Sequence, residues 1–97
     1  MTTREVWKYP FKTTSPITVE VPYAAKIVHV GVDPADDGFL PCVWIERQTQ
    51  RPAKMQWVLS FVGTGMEIDD DRVHVGSVVT PNGLVWHVYR RTERALP

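Results

Sequence analysis

The chain has few of the features that mark specialised classes of protein. It holds one cysteine, Cys42, so no disulfide can form within it and the fold does not depend on an oxidising compartment. No apolar run approaches the roughly 18–20 residues that span a bilayer. The polar start MTTREVWK is unlike a signal peptide. We therefore expect a cytoplasmic protein with no membrane partner.

The chain also lacks a surplus of charge. Eleven basic and eleven acidic side chains cancel, whereas proteins that bind nucleic acid usually carry a basic surplus. Its three histidines are not spaced as a metal pair, and one cysteine cannot complete a Cys-His zinc set. We expect neither nucleic acid, nor a metal, nor a cofactor as a partner.

Alternation of apolar and polar side chains is the main pattern that is present. It is clearest where Met55, Trp57, Leu59 and Phe61 alternate with more polar residues, as in a half-buried antiparallel strand. Similar segments, separated by turn residues, are 4–11, 17–21, 25–32, 39–47, 53–62 and the two arms of a hairpin within 72–91. They predict an all-β fold, a small antiparallel sandwich or barrel of about seven strands, meander-rich and with little or no helix.

The chain is short enough to form one domain over residues 1–97. Chain ends without apolar patterning are usually poorly ordered. We expect residues 1–3 and 93–97 to be flexible tails.

The hairpin within 72–91 has a strong turn signal. Asn82-Gly83 predicts a two-residue type I′ turn, since both residues tolerate a positive φ. In that register Val78 lies opposite His87.

The apolar residues of the second hairpin arm alternate too. Leu84, Trp86 and Val88 share one face, which we expect to be core that faces the strand carrying Met55 and Phe61.

A glycine-rich segment follows the strand at 53–62. Backbone N–H groups of Gly63-Thr64-Gly65 can approach a phosphate. The following helix and the Lys-Ser/Thr pair of the fuller phosphate-binding motifs are missing, so a bulge or tight turn is the alternative. Two acidic runs, 67–71 and 33–37, lack the ligand spacing of a calcium loop and are expected to be solvated surface.

The polar side of the hairpin carries the other candidates. His74, His87, Tyr89 and Arg91 combine aromatic, basic and titratable groups that can grip a nucleotide or a protein partner. The alternative is that they are ordinary surface residues at a sheet edge, where charged side chains discourage aggregation between edges. Catalysis would need a nucleophile or carboxylate partner that the sequence does not reveal, so we predict no catalytic residues. The predicted ligand-binding set is Gly63, Thr64, Gly65, His74, His87, Tyr89 and Arg91.

Six short motifs occur in a characteristic order along the chain. They are WKYP at 7–10, VPYAAKI at 21–27, LPCVW at 40–44, VGTGMEI at 62–68, VGSV at 75–78 and VWHVY at 85–89. This ordered set resembles a family of small uncharacterised proteins encoded by tailed bacteriophages and prophages. The departures are Ala24, where that family often has Gly, Met66, where it often has His, and the segment DPADDG at 33–38, which is longer than the usual link. Had that His been functional, its loss here would count against a catalytic or metal role for the glycine-rich segment.

The resemblance implies a setting in the cytoplasm of a bacterial host. We expect a non-enzymatic phage accessory protein that binds a host protein or a small ligand, in host takeover or counter-defence. One alternative is a structural or virion-assembly protein that forms homo-oligomers, since exposed strand edges allow a homodimer. A second alternative is a small nucleotide-handling enzyme.

Overall fold

A computed structural model describes residues 3–35 and 39–95, and within them the chain forms seven strands and no helix. The strands are β1 (Arg4–Pro10), β2 (Ile17–Val21), β3 (Lys26–Val32), β4 (Pro41–Gln48), β5 (Met55–Gly63), β6 (Val73–Val79) and β7 (Val85–Ala95). All their pairings are antiparallel. The predicted all-β class is confirmed. The described part of the chain contains no helix that could cross a membrane.

The strands form two sheets. One has three strands in the order β1-β4-β3, and the other has four in the order β2-β5-β7-β6. Consecutive strands pair at β3–β4 and β6–β7, whereas β1–β4, β2–β5 and β5–β7 join strands that are distant in sequence. The connectivity is therefore less of a meander than predicted. Several connections therefore cross from one sheet to the other. The two sheets bury their apolar faces against each other.

The core lies between the two sheets and follows the alternation of the sequence. From the central strand β4, Val43 and Ile45 are fully buried. From β5, Trp57, Leu59 and Phe61 are buried while the residues between them are only partly so. Period-two patterning thus identified the inward face of the central strands correctly.

Strand β7 corrects part of the predicted core. Trp86 and Val88 pack in the core as expected, but Leu84 is 47% exposed. Leu84 precedes the strand and pairs with Thr80 beside the turn, beyond the cover of the opposite sheet. Strand β7 also lies beside β5 in the same sheet instead of facing it.

The end of β7 is longer than the predicted hairpin arm. Residues 93–95, expected in a flexible tail, pair with the start of β5, where Met55 lies opposite Ala95. Residues 1, 2, 96 and 97 of the predicted tails lie outside the described part of the chain.

The hairpin turn is not the predicted type I′ turn. Gly83 has a φ of 83°, but Asn82 does not have a positive φ. The Gly83 N–H donates to the Thr80 carbonyl at 2.9 Å, and the Thr80 N–H donates to the Leu84 carbonyl at 2.9 Å. This is the pattern of a type I turn followed by a left-handed glycine. Pro81 favours it, because its fixed φ suits the second position of a type I turn.

Candidate functional site

The longer turn changes which side chains meet on the hairpin. Ser77 lies opposite His87, the place predicted for Val78. A bulge then interrupts β6, because His74 pairs with Tyr89 while Gly76, two residues further along β6, pairs with the adjacent Val88. His74 and Ser77 are three residues apart and would point to opposite faces of a regular strand. The extra residue brings both to the outer face of the four-stranded sheet.

Five residues on this outer face form what we call the histidine strip: Thr64, His74, Ser77, His87 and Tyr89. Ser77 Oγ lies 3.0 Å from His74 Nε2 and 2.8 Å from His87 Nδ1. The other nitrogen of His87, Nε2, lies 3.0 Å from Thr64 Oγ1. The ring of Tyr89 packs edge-on against His74, with 5.3 Å between the centroids. The strip joins four of the predicted site residues through Ser77, which the sequence analysis missed.

The histidine strip contains part of a nucleophilic constellation. A serine, a base within hydrogen-bond reach and a third group that orients the base are its usual parts, and Ser77, His87 and Thr64 match them in position. However, the strip is exposed, and in the part of the chain that the structure describes no carboxylate bonds to either histidine. No set of three or more metal-binding side chains occurs there either.

The glycine-rich segment is a turn that serves the strip. The Met66 N–H donates to the Gly63 carbonyl at 3.1 Å, and Gly65 has a φ of 87°. A type II turn needs a residue such as glycine at this third position. The Gly63 N–H donates to Met66 Sδ at 3.3 Å. The segment therefore holds Thr64 against His87. The sulfur of Met66 accepts from the Gly63 N–H, one of the donors that a phosphate would use.

Arg91 lies two pairs beyond Tyr89, opposite Val58. Its Nη1 is 3.7 Å from Asp71 Oδ2, and Asp71 also bonds to Arg72. The acidic run at 67–71 is exposed, as predicted, and two of its carboxylates form ion pairs with these arginines.

The second acidic run differs from its prediction. Asp33 is buried, and its Oδ1 accepts from the Ala35 N–H at 3.0 Å and from Lys8 Nζ at 3.0 Å. These two hydrogen bonds, that of Ala35 first, lower the pKa of the Asp33 carboxyl. Asp36 and Asp37 lie outside the described residues.

Close to Asp33, the Cys42 thiol is fully buried in β4. Burial first, and then the negative charge of Asp33, raise the pKa of this thiol from 9.0 to about 11. The predicted inert thiol agrees with this position, since a reactive cysteine needs an exposed, electropositive setting.

We expect native protein to leave Cys42 unmodified by 5,5′-dithiobis(2-nitrobenzoate) at mildly alkaline pH, and denatured protein to react at once. Because the folded pKa lies above the unfolded one, the stability contributed by the protonated thiol is complete below pH 9.0 and falls as the pH rises towards about 11. Rapid labelling of the native chain would contradict the buried position.

A second candidate site is a cleft of about 530 Å³ at the end of the sandwich where β3, β5 and β6 begin. Tyr23, Lys26, Trp57, His74 and Arg90 are among the residues that line it, and we call it the end cleft. His74 belongs to both sites. The cleft is assembled from segments far apart in sequence, so only the sheet order reveals it.

Trp57 is the unusual residue of the end cleft. It is 3% exposed, and its indole Nε1 is buried without a hydrogen-bond partner in the described structure. The guanidinium of Arg90 lies over the indole, with Cζ 4.7 Å from the ring centroid. Arg90 Nη1 donates to Thr92 Oγ1 at 3.2 Å. The sequence placed Trp57 in the core correctly, but its unpaired N–H has no signature in the pattern.

Comparison with known proteins gives a family and no further relative. No curated protein and no solved structure matches the chain. A family model does match, described as a domain of unknown function (DUF7352), and it covers residues 2–96. Because this match spans nearly the whole sequence, the chain belongs to the DUF7352 family.

Proposed function

We propose that this protein binds a small molecule in the end cleft and carries out no chemistry on it. The observation behind the proposal is the buried Trp57 N–H without a partner at the wall of an open cleft. Leaving such a donor unsatisfied costs about 1–3 kcal/mol. A ligand oxygen that accepts from Nε1 removes this cost. The volume of the cleft is that of ordinary small-molecule sites.

The non-enzymatic part of the proposal is supported by the histidine strip. Ser77 and His87 are in contact, but the strip lies on an exposed sheet face and its orienting group is a neutral threonine hydroxyl. Electrostatic stabilisation of a transition state works best in a site that excludes water. The strip instead has the character of a satisfied polar network that lies across the bulge in β6.

The biological setting we propose rests on the six ordered motifs. Their resemblance to phage and prophage proteins supports an accessory protein in the bacterial cytoplasm, acting in host takeover or counter-defence. Sequestering or sensing a small molecule of the host is a role that a single binding cleft can perform. A host protein is the other partner consistent with this setting.

Retention of small molecules from a bacterial extract tests the proposed function. After equilibrium dialysis, mass spectrometry of the denatured protein should identify a retained compound on the wild type. The Trp57→Phe variant should retain about tenfold less, because one hydrogen bond to the indole N–H contributes roughly 1–2 kcal/mol.

Trp86→Phe is the matched control for this experiment. Its indole Nε1 already donates to the Phe39 carbonyl at 3.0 Å, and it does not line the cleft. It should retain the compound as the wild type does. A wild-type protein that retains nothing would contradict the proposed function.

A further inference from the structure

The charged side chains that line the end cleft have one sign. Lys26 and Arg90 are cationic, and no acidic residue is among the described lining. Lys26 Nζ lies 4.0 Å from Glu46 Oε1, outside the lining, whereas Arg90 has no such partner among the described residues. The whole chain has no net charge, so this is a local excess of positive charge. Such an excess attracts an anion.

Arg90 differs from its arginine neighbours in the partner of its guanidinium group. Arg72 and Arg91 both lie within ion-pair distance of Asp71. No carboxylate of the described residues pairs with Arg90, whose one hydrogen bond goes to the neutral hydroxyl of Thr92. Its remaining N–H donors suit a carboxylate or a phosphate, which accept from a guanidinium in a fork.

Trp57 and Arg90 both line the cleft and both carry N–H donors. Stacking on the indole holds the guanidinium in place, because the ring face attracts a cation. An oxyanion can accept from both, whereas a neutral ligand satisfies Nε1 and leaves the charge of Arg90 unmatched.

Tyr23 supplies an aromatic wall. It lines the cleft and is 65% exposed. A flat ring placed against Tyr23 buries apolar surface that water otherwise covers.

We propose that the end cleft takes a planar aromatic molecule that carries one oxyanion, a carboxylate or a phosphate. The oxyanion binds Arg90 and the Trp57 N–H, and the ring lies against Tyr23. This inference rests on the proposed function, because it names the class of molecule that the same cleft binds.

Two matched pairs of probes test whether the ligand must carry a negative charge and whether that charge belongs to a carboxylate or a phosphate. Benzoate and benzamide share a ring and differ in charge, and adenosine 5′-monophosphate and adenosine differ by a phosphate. Calorimetric titration of the wild type at low salt should show one charged probe binding at least about tenfold more tightly than its neutral partner. The pair that shows the difference identifies a carboxylate or a phosphate as the anion.

Two arginine variants provide the matched comparison. Arg90→Gln should abolish the preference for the charged probe. Arg47→Gln should keep it, although Arg47 also stacks on a tryptophan, with Cζ 5.3 Å from the centroid of Trp7. Both variants remove one cation from an indole face, so only the position differs.

Each other outcome overturns a defined statement. Equal affinity for charged and neutral probes, an Arg90→Gln variant that keeps the preference, or failure of both charged probes to bind would overturn the anionic class. Recovery of a neutral compound from the extract would overturn that class too and leave the proposed function standing. If the protein retains nothing from the extract and binds none of the probes, both the proposed function and the anionic class of ligand are overturned.

Discussion

Replacing Gly76 by alanine is expected to lower the free energy of unfolding by about 1–3 kcal/mol, the cost of overpacking a tight interface. A Cβ atom at Gly76 would lie 2.7 Å from Val30 Cγ2 and 2.9 Å from Val30 Cβ. Strands β3 and β6 of the two sheets approach one another here, so one of them must shift. The sign is informative, because glycine to alanine in an unobstructed strand stabilises by roughly 0.5–1 kcal/mol. Urea denaturation of both proteins measures the difference.

The double variant with Val30→Ala is the control for this prediction. Val30→Ala removes the nearest atom, Cγ2, and leaves the Cβ contact, so the penalty of Gly76→Ala should shrink without vanishing. The coupling energy between the two positions should be about 0.5–3 kcal/mol. Strictly additive effects would contradict the close approach of the two strands.

Leu59→Ala is expected to destabilise the protein by about 2–5 kcal/mol, the range for truncating a buried leucine. Leu59 is fully buried in β5, between Ile17 of β2 and Arg90 of β7. The loss combines the transfer free energy of the removed methyl groups with the cavity that remains. Thermal and urea denaturation should agree on the change.

Leu84→Ala is the matched control, since the same side chain is truncated at a position that is 47% exposed. It should cost less than about 1 kcal/mol. Sequence alternation alone places Leu84 in the core with Trp86 and Val88. The pair of variants therefore distinguishes the burial predicted by alternation from the burial seen in the structure. A larger loss at Leu84 than at Leu59 would show that the described register of the hairpin is wrong.

The parts of the fold that follow from the sequence depend on local chemistry. Alternation in β5 predicts Trp57, Leu59 and Phe61 as its inward face, because successive side chains of a strand point to opposite sides. All three are buried. The order of strands within each sheet depends on which distant segments pair, and alternation carries no information on that choice.

The histidine strip shows how a small error propagates. Treating Asn82-Gly83 as a two-residue turn ignores the preference of Pro81 for the second position of a type I turn. The register then moves by one residue, and Ser77 replaces Val78 opposite His87. The bulge that aligns His74 with Ser77 has only Gly76 as a sequence signal. The sequence therefore identifies the candidate residues by type, but it does not predict which of them are in contact.

The end cleft depends on packing between segments that are distant in sequence. Tyr23, Trp57 and Arg90 come together because β2 and β7 flank β5 and because β3 lies near the start of β6. An unpaired indole N–H is a property of the packed state alone.

The most direct test of the ligand cleft is the indole N–H resonance of Trp57 in a ¹H–¹⁵N correlation spectrum. The four tryptophans give four such signals, and the Trp57→Phe variant assigns the one that matters. On addition of the charged probe that binds, the Trp57 signal should move strongly downfield as Nε1 gains an acceptor. The Trp86 signal should stay in place, because its N–H is already bonded to Phe39. A probe that binds and leaves the Trp57 signal unmoved would contradict the account.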